Sequence, residues 1–278
     1  MRQSAILKSM PSFRNPSPRR WLALLAGLLV VAYAASNARA QNSAVTLTPA
    51  LVEAGSPVLI HVEAPATATL DGDWLGRKLE FFPARDGRGW FALAGVDVEG
   101  AVGPSALRIT VTPKSGTALD LSRNVEIHAA HYRTGVLTVA PQFVSPGPEE
   151  LKAIEADVEL KKKVFAASAP QPLWTGDFRA AMGTPVHAGN SGVVVLARKL
   201  YYEGNCVIID HGLGLYTISM HFSRIDVHEG QRVRQGELLG LSGATGRVTG
   251  PHLHWAVQWQ GAYLDPAKLL RLDLNFVR

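Results

Sequence analysis

Gly246-Arg247-Val248-Thr249-Gly250-Pro251-His252-Leu253-His254-Trp255 is the stretch on which the fold turns. Its two histidines stand at i and i+2. On a β-strand that spacing puts both side chains on one face, about 7 Å apart along the strand. The glycine-rich turn before them leaves room for a substrate backbone to approach. One imidazole there can ligate a metal while its neighbour acts on a bound substrate. Two histidines on a wet strand face would show the same spacing, so the pair gains meaning only from its surroundings.

Those surroundings are specific. Asp177 stands in Gly176-Asp177-Phe178, followed by Gly183-Thr184-Pro185-Val186. Then come His211-Gly212-Leu213-Gly214, Thr217 and His221-Phe222. Val227-His228-Glu229-Gly230-Gln231-Arg232-Val233, Gly236 and Leu239-Gly240 lead into the histidine pair. Taken in order, from about Asp177 to Leu270, these elements resemble peptidase family M23, the LytM or lysostaphin type of metallopeptidase. The resemblance implies a largely antiparallel β domain with one Zn²⁺ in a groove, hydrolysing peptide bonds of peptidoglycan. It places Asp177 and His254 on the metal. It makes His221 and His252 the histidines that orient or activate the attacking water and stabilise the tetrahedral intermediate. Bound Zn²⁺ lowers the pKa of its water toward about 7 and polarises the scissile carbonyl.

One position departs from the family pattern. The first histidine ligand belongs four residues before the aspartate, and Leu173 stands there, in Gln171-Pro172-Leu173-Trp174-Thr175-Gly176-Asp177. Leucine has no lone pair for a metal, and a catalytic zinc normally takes three protein ligands. In related Gram-negative proteins Pro-Leu-Trp-x-Gly opens a longer stretch leading to the aspartate. Here the two ends are joined directly, which reads as an internal deletion. His187 is the histidine nearest Asp177 in sequence, and replacing the lost ligand would require a fold-back of the chain. His211 is expected to support a turn by hydrogen bonds, and His228 to lie on the surface. His61, His128 and His131 have no expected role.

The first 40 residues read as a secretory signal peptide. Met1 to Arg20 is basic without an acid, Trp21 to Ala35 is apolar, and Ala38-Arg39-Ala40 is a small-x-small cleavage site. Fifteen apolar residues fall short of the roughly 20 of a membrane span, so membrane attachment is expected only through an uncleaved leader. The expected location is the periplasm or cell envelope. Removing six basic residues from a formal charge of +5 leaves −1, so the basic pI is no sign of nucleic-acid binding. The single cysteine, Cys206, excludes an intrachain disulfide and reads as a buried thiol.

The fold class expected is mainly β. Residues 41–144 read as an immunoglobulin-like β-sandwich, with Leu107, Ile109 and Val111 alternating with polar residues. Val58 to Val62 and Asn124 to His128 read as further strands, and Asp71-Gly72, Asp86-Gly87 and Ser115-Gly116 as turns. Residues 145–172 form a linker. Its helix, Glu149 to Ala167, carries Leu151, Ile154, Val158 and Phe165 on one stripe. Residues 173–278 make the C-terminal M23-type antiparallel β domain, lipoyl-like in its Val227 to Ser242 half. A lipoyl or biotinyl carrier is excluded, because no lysine lies between Lys199 and Lys268 to carry the group. A phosphate loop over Gly240 to Gly250 lacks Gly-Lys-Ser/Thr. The expected partners are stem or cross-link peptides of peptidoglycan. The competing function is a degenerate LytM-like module that binds peptidoglycan without cutting it, or activates a cell-wall amidase.

Overall fold

The computed structural model describes residues 44–85, 87–136, 138–179 and 185–274, and the predicted leader lies outside them. Nine strands come first: β1 (Val45–Thr48), β2 (Val52–Glu53), β3 (Pro57–Pro65), β4 (Thr69–Trp74), β5 (Arg77–Lys78), β6 (Phe81–Pro83), β7 (Arg88–Gly95), β8 (Gly103–Thr112) and β9 (Leu119–His128). They form a four-stranded sheet, β1-β3-β7-β6, and a five-stranded sheet, β2-β9-β8-β4-β5. Leu107, Ile109 and Val111 of β8 turn inward as their alternation predicts. Asp71-Gly72, expected to be a turn, lies inside β4. A Cβ at Gly72 would stand 2.9 Å from the Arg108 carbonyl oxygen, so glycine here permits close strand packing instead of chain reversal.

The two sheets face each other across a shared core. Leu59, Ile60 and Leu93 of one sheet and Trp74, Leu107 and Ile109 of the other belong to a single buried cluster, all essentially inaccessible to water. Each such side chain contributes about 1.5–3 kcal/mol by leaving water.

The linker helix α1 (Pro148–Phe165) has Pro148 in its first turn, Glu149 and Glu150 near its N-terminus and Lys162 and Lys163 near its C-terminus, all matched to the helix dipole. Its packing differs from the expected stripe. Leu151 and Val158 are exposed, whereas Leu160, Val164 and Phe165 pack against Leu196, Ile208, Tyr216 and Ile218. The i, i+4 pair Leu160 and Val164 sets the buried face, and two polar contacts lock it. Asp157 accepts from the Tyr201 amide at 2.6 Å, and Lys161 pairs with Glu203.

Beyond the helix come β10 (Val186–His187), β11 (Gly192–Leu200), β12 (Gly204–Asp210), β13 (Leu215–Ile225), β14 (Arg232–Val233), β15 (Leu238–Ser242), β16 (His254–Trp259), β17 (Ala262–Leu264) and the short helix α2 (Pro266–Leu269). The eight strands form one antiparallel sheet with β13 paired to β12, β15 and β16. Directly opposed residues share a face. Leu215, Thr217 and Ser219 lie opposite Trp259, Val257 and Trp255. Leu215, Val257 and Trp259 belong to the same buried cluster as the first two sheets, which makes the core continuous from Val45 to Leu274. Tyr216, Ile218 and Met220 lie opposite Gln258, Ala256 and His254 on the other face, under α1.

Cys206 is buried, and burial pushes its thiol pKa up, as befits a structural thiol. His228 is exposed.

Candidate active site: a histidine groove

Three of the four expected site residues meet. The His221 ring lies 5.1 Å from that of His252 and 5.9 Å from that of His254, centroid to centroid. They line one groove of about 900 Å³, together with Met220, Tyr202 and Glu203. Arg247 and Thr249 to Pro251 of the loop before β16, the end of β17 and the first residue of α2 complete its walls.

Each ring arrives by a different route. His254 opens β16 opposite Met220. The expected strand through both His252 and His254 starts only at His254. His252 is joined by a single bridge to Gly243, because Pro251 cannot donate to a ladder. His221 sits in β13 with φ +67°, in the left-handed region. Strand alternation alone would send it to the Ser219 face. Between Ser219 and Phe222, β13 holds one residue more than the facing stretch of β12 from Asn205 to Val207, a β-bulge. The bulge and the left-handed residue re-aim the ring toward His254. Strain of this kind costs on the order of 1–3 kcal/mol and persists only where its surroundings enforce it. They do so here: the His221 amide donates to the Glu203 carbonyl at 2.9 Å.

Hydrogen bonds set the tautomers. His221 Nδ1 lies 2.8 Å from the Thr245 carbonyl oxygen, and His252 Nδ1 2.8 Å from that of Gly250. A carbonyl only accepts, so each Nδ1 carries a proton, and in a neutral ring Nε2 is the atom left with the lone pair. Partial burial and the neighbouring imidazoles hold the pKa values of His221 and His254 below the usual histidine range. Both are therefore neutral bases at pH 7.

Asp177 is not among them. Its carboxylate accepts from the Leu274 amide at 2.7 Å, and its own carbonyl accepts from Gln235 Nε2 at 2.6 Å. The neighbours Trp174 and Phe178 are buried in the core with Leu215, Val257 and Trp259. Phe178 also meets His211 edge-on at 4.9 Å. The segment thus lies on the face of β13 and β16 opposite His254. Burying two large aromatic side chains decides this: each is worth more than a single contact of the half-buried Asp177 carboxylate. Leu173 is tied to the His211 carbonyl through its amide at 2.7 Å and lines a different pocket, with Ser191, Gly192 and Arg232. His187 pairs with Leu238 in β10. Among the described residues, no group of three or more His, Cys, Asp or Glu side chains is placed to hold a metal ion. Asp177 does not line the groove that His254 lines.

His211 supports the turn as expected. It is fully buried, bonded to the Ser191 carbonyl and the Thr217 hydroxyl. Sequence reading did not single out Tyr202, Glu203, Thr245 or Arg247, which also shape the groove. Arg247 lay within the decisive stretch, and the Tyr201–Gly204 turn was readable, but nothing local marks either as facing the histidines.

Residues 174–266 match the Peptidase family M23 model. Peptidoglycan DD-endopeptidase ShyA of Vibrio cholerae is 47% identical over 92 residues, covering 33% of this chain and 21% of that protein. An uncharacterized metalloprotease of Buchnera aphidicola is 37% identical over 93 residues, 34% of this chain and 25% of that one. The chain thus spans about a fifth to a quarter of the length of these curated relatives. A Pseudomonas aeruginosa crystal structure assigned to peptidase M23 aligns over 78% of this chain and 94% of its own, with TM-score 0.58 and 26% identity. That alignment extends well beyond the matched domain. Residues 174–266 of this chain are therefore a domain of peptidase family M23.

Proposed function

We propose that the chain acts on peptidoglycan in the bacterial periplasm or envelope, as an impaired M23-type endopeptidase that takes a stem or cross-link peptide into the histidine groove. The observation that carries this reading is the convergence of His221, His252 and His254 in a groove of about 900 Å³ while Asp177 stands apart. A groove of about 900 Å³ is within the size range of ligand sites, and Tyr202, Pro251 and Tyr263 in its lining offer apolar contact. The Nε2 atom of His221, left unprotonated by the lowered pKa of the ring, can take a proton from water beside a bound peptide carbonyl and return it to the leaving amine, with the His252 ring 5.1 Å away to orient that water.

A metal such as Zn²⁺ would supply a polarised carbonyl and an acidified water. Among the described residues no group of three or more His, Cys, Asp or Glu gathers to hold one, so no step is assigned to it. General-base catalysis alone contributes about 10²–10⁴-fold, against the 10⁶-fold or more of complete enzymes. Hydrolysis by this chain is therefore expected to be at least about a hundredfold below that of a complete site.

The engagement of Asp177 by the Leu274 amide favours a second reading, a module that binds peptidoglycan peptides, or a cell-wall amidase, without cutting. One experiment separates the two. Zinc content, cross-linked muropeptide binding and muropeptide hydrolysis are measured on the purified chain, on His252→Ala and on His254→Ala. The first reading expects well under one zinc per chain and slow hydrolysis that falls further in His252→Ala. Binding without hydrolysis selects the second. One zinc per chain with rapid turnover, both lost in His254→Ala, refutes impairment, and absence of binding refutes the groove reading itself.

A further inference from the structure

Arg247 stands in the groove wall beside the histidines. Its guanidinium lies over the Tyr202 ring, 4.5 Å from the centroid. Two other arginines of this sheet are neutralised by forked pairs: Arg198 with Glu229 and Arg224 with Asp226. Among the described residues no ion pair engages Arg247. The acid nearest to hand in the groove, Glu203, is taken by Lys161 of α1. Among the described residues that line the groove, Arg247 is therefore an uncommitted cation, with its planar fork steadied from below by an aromatic ring.

The backbone beneath Arg247 is built to hold it still. Its amide donates to the Tyr202 carbonyl at 2.8 Å. Thr245 Oγ1 accepts from the Asn205 amide at 2.8 Å and donates to the Phe222 carbonyl at 2.9 Å. Gly204 and Gly246 let the two loops touch backbone to backbone: a Cβ on Gly246 would fall 2.3 Å from the Gly204 nitrogen. The carbonyl that orients His221 belongs to Thr245, two residues before Arg247. One anchored loop thus sets both the guanidinium and the imidazole.

We propose that Arg247 is a specificity-determining residue that binds a free carboxylate of the peptide in the groove, so that the site selects peptides ending in a carboxylate close to the bond presented to His221 and His252. This rests on the peptide-binding reading above. The chemistry is direct. A guanidinium fork binds a carboxylate through two parallel N–H···O bonds, and stacking on Tyr202 reduces the freedom lost on binding. The Lys161 ammonium, paired with Glu203, removes the repulsion that carboxylate would otherwise exert on the anion.

The test uses the full chain and a synthetic cross-linked stem-peptide dimer, prepared with free or with amidated terminal carboxylates. Binding is read by titration calorimetry for wild type, Arg247→Gln and Arg247→Lys. A charge-assisted hydrogen bond at a solvent-exposed position is worth about tenfold in affinity. Wild type is expected to prefer the free acid about tenfold over the amide. Arg247→Gln abolishes that preference by weakening the acid alone, and Arg247→Lys restores part of it. Equal binding of acid and amide by wild type, or equal weakening of both by Arg247→Gln, overturns the role of Arg247 while leaving the groove reading intact. Failure of wild type to bind either peptide overturns the groove reading, and this inference with it.

Discussion

Acid should loosen this protein through His211. The ring is fully buried between the Ser191 carbonyl, 2.8 Å from Nδ1, and the Thr217 hydroxyl, 2.9 Å from Nε2, with Phe178 edge-on at 4.9 Å. Nδ1–H donates to the carbonyl, so Nε2 accepts from the hydroxyl and the ring is neutral. Burial lowers its pKa from 6.5 to about 4. Between those values the unfolded chain binds a proton that the folded chain refuses, so stability rises with pH across the window and is lost as pH falls. The contribution is intact above about pH 6.5. At 1.36 kcal/mol per pKa unit, the loss reaches about 2 kcal/mol at pH 5 and levels off near 3 kcal/mol below pH 4. Urea unfolding followed by tryptophan fluorescence at pH 7.5, 6 and 5 would measure it. His211→Gln should be less stable at pH 7.5 by about 1–3 kcal/mol, because its amide cannot meet both partners with the same geometry. It should also lose most of the pH slope, the remainder coming from His221 and His254, whose pKa values are lowered in the same sense. If wild type and His211→Gln lost equal stability between pH 7.5 and 5, the assignment of the proton to His211 would be wrong.

Two further outcomes follow from the geometry. Leu173→His, which restores the family's residue type, should leave zinc affinity unchanged, because position 173 is pinned to the His211 carbonyl and lies in the pocket of Ser191 and Arg232; uptake of one zinc per chain would contradict this placement. Gly246→Ala forces a side chain into a left-handed residue at φ +77° and against the Tyr202 carbonyl at 2.6 Å. It should cost at least about 1–3 kcal/mol and shift the imidazole NMR signals of His221 and His252, while unchanged signals would show that the two-loop contact does not set the groove.

Much of this molecule was legible along the chain because the relevant forces are local. The alternation of Leu107, Ile109 and Val111 dictates which face of β8 is buried, and Pro148 with its flanking acids marks where α1 begins. The ordered glycines and histidines from Gly212 to His254 suffice for the family, since glycine at turns and histidine at fixed intervals are requirements of backbone geometry and of donor chemistry. Donor chemistry is equally local at position 173, where leucine has nothing to offer a metal.

Other features were settled by packing over long sequence distances. Strand alternation would hide His221 from His254; only the bulge against β12 turns it over, and a bulge depends on what the partner strand does. The buried face of α1 follows Leu160 and Val164 because Lys161 and Asp157 find Glu203 and Tyr201 some 40 residues away. Arg247 is open to a ligand only because its competitor Glu203 is already paired.

The sequence by itself thus determined the β architecture, the family and the donor types at the site, all consequences of near-neighbour chemistry. Tertiary structure alone decided which of those donors meet. Three histidines converge where β13, β16 and the loop before β16 meet, whereas the Asp177 segment is held by the burial of Trp174 and Phe178 in the core, since the gain from removing two aromatic rings from water exceeds what one half-buried carboxylate can oppose.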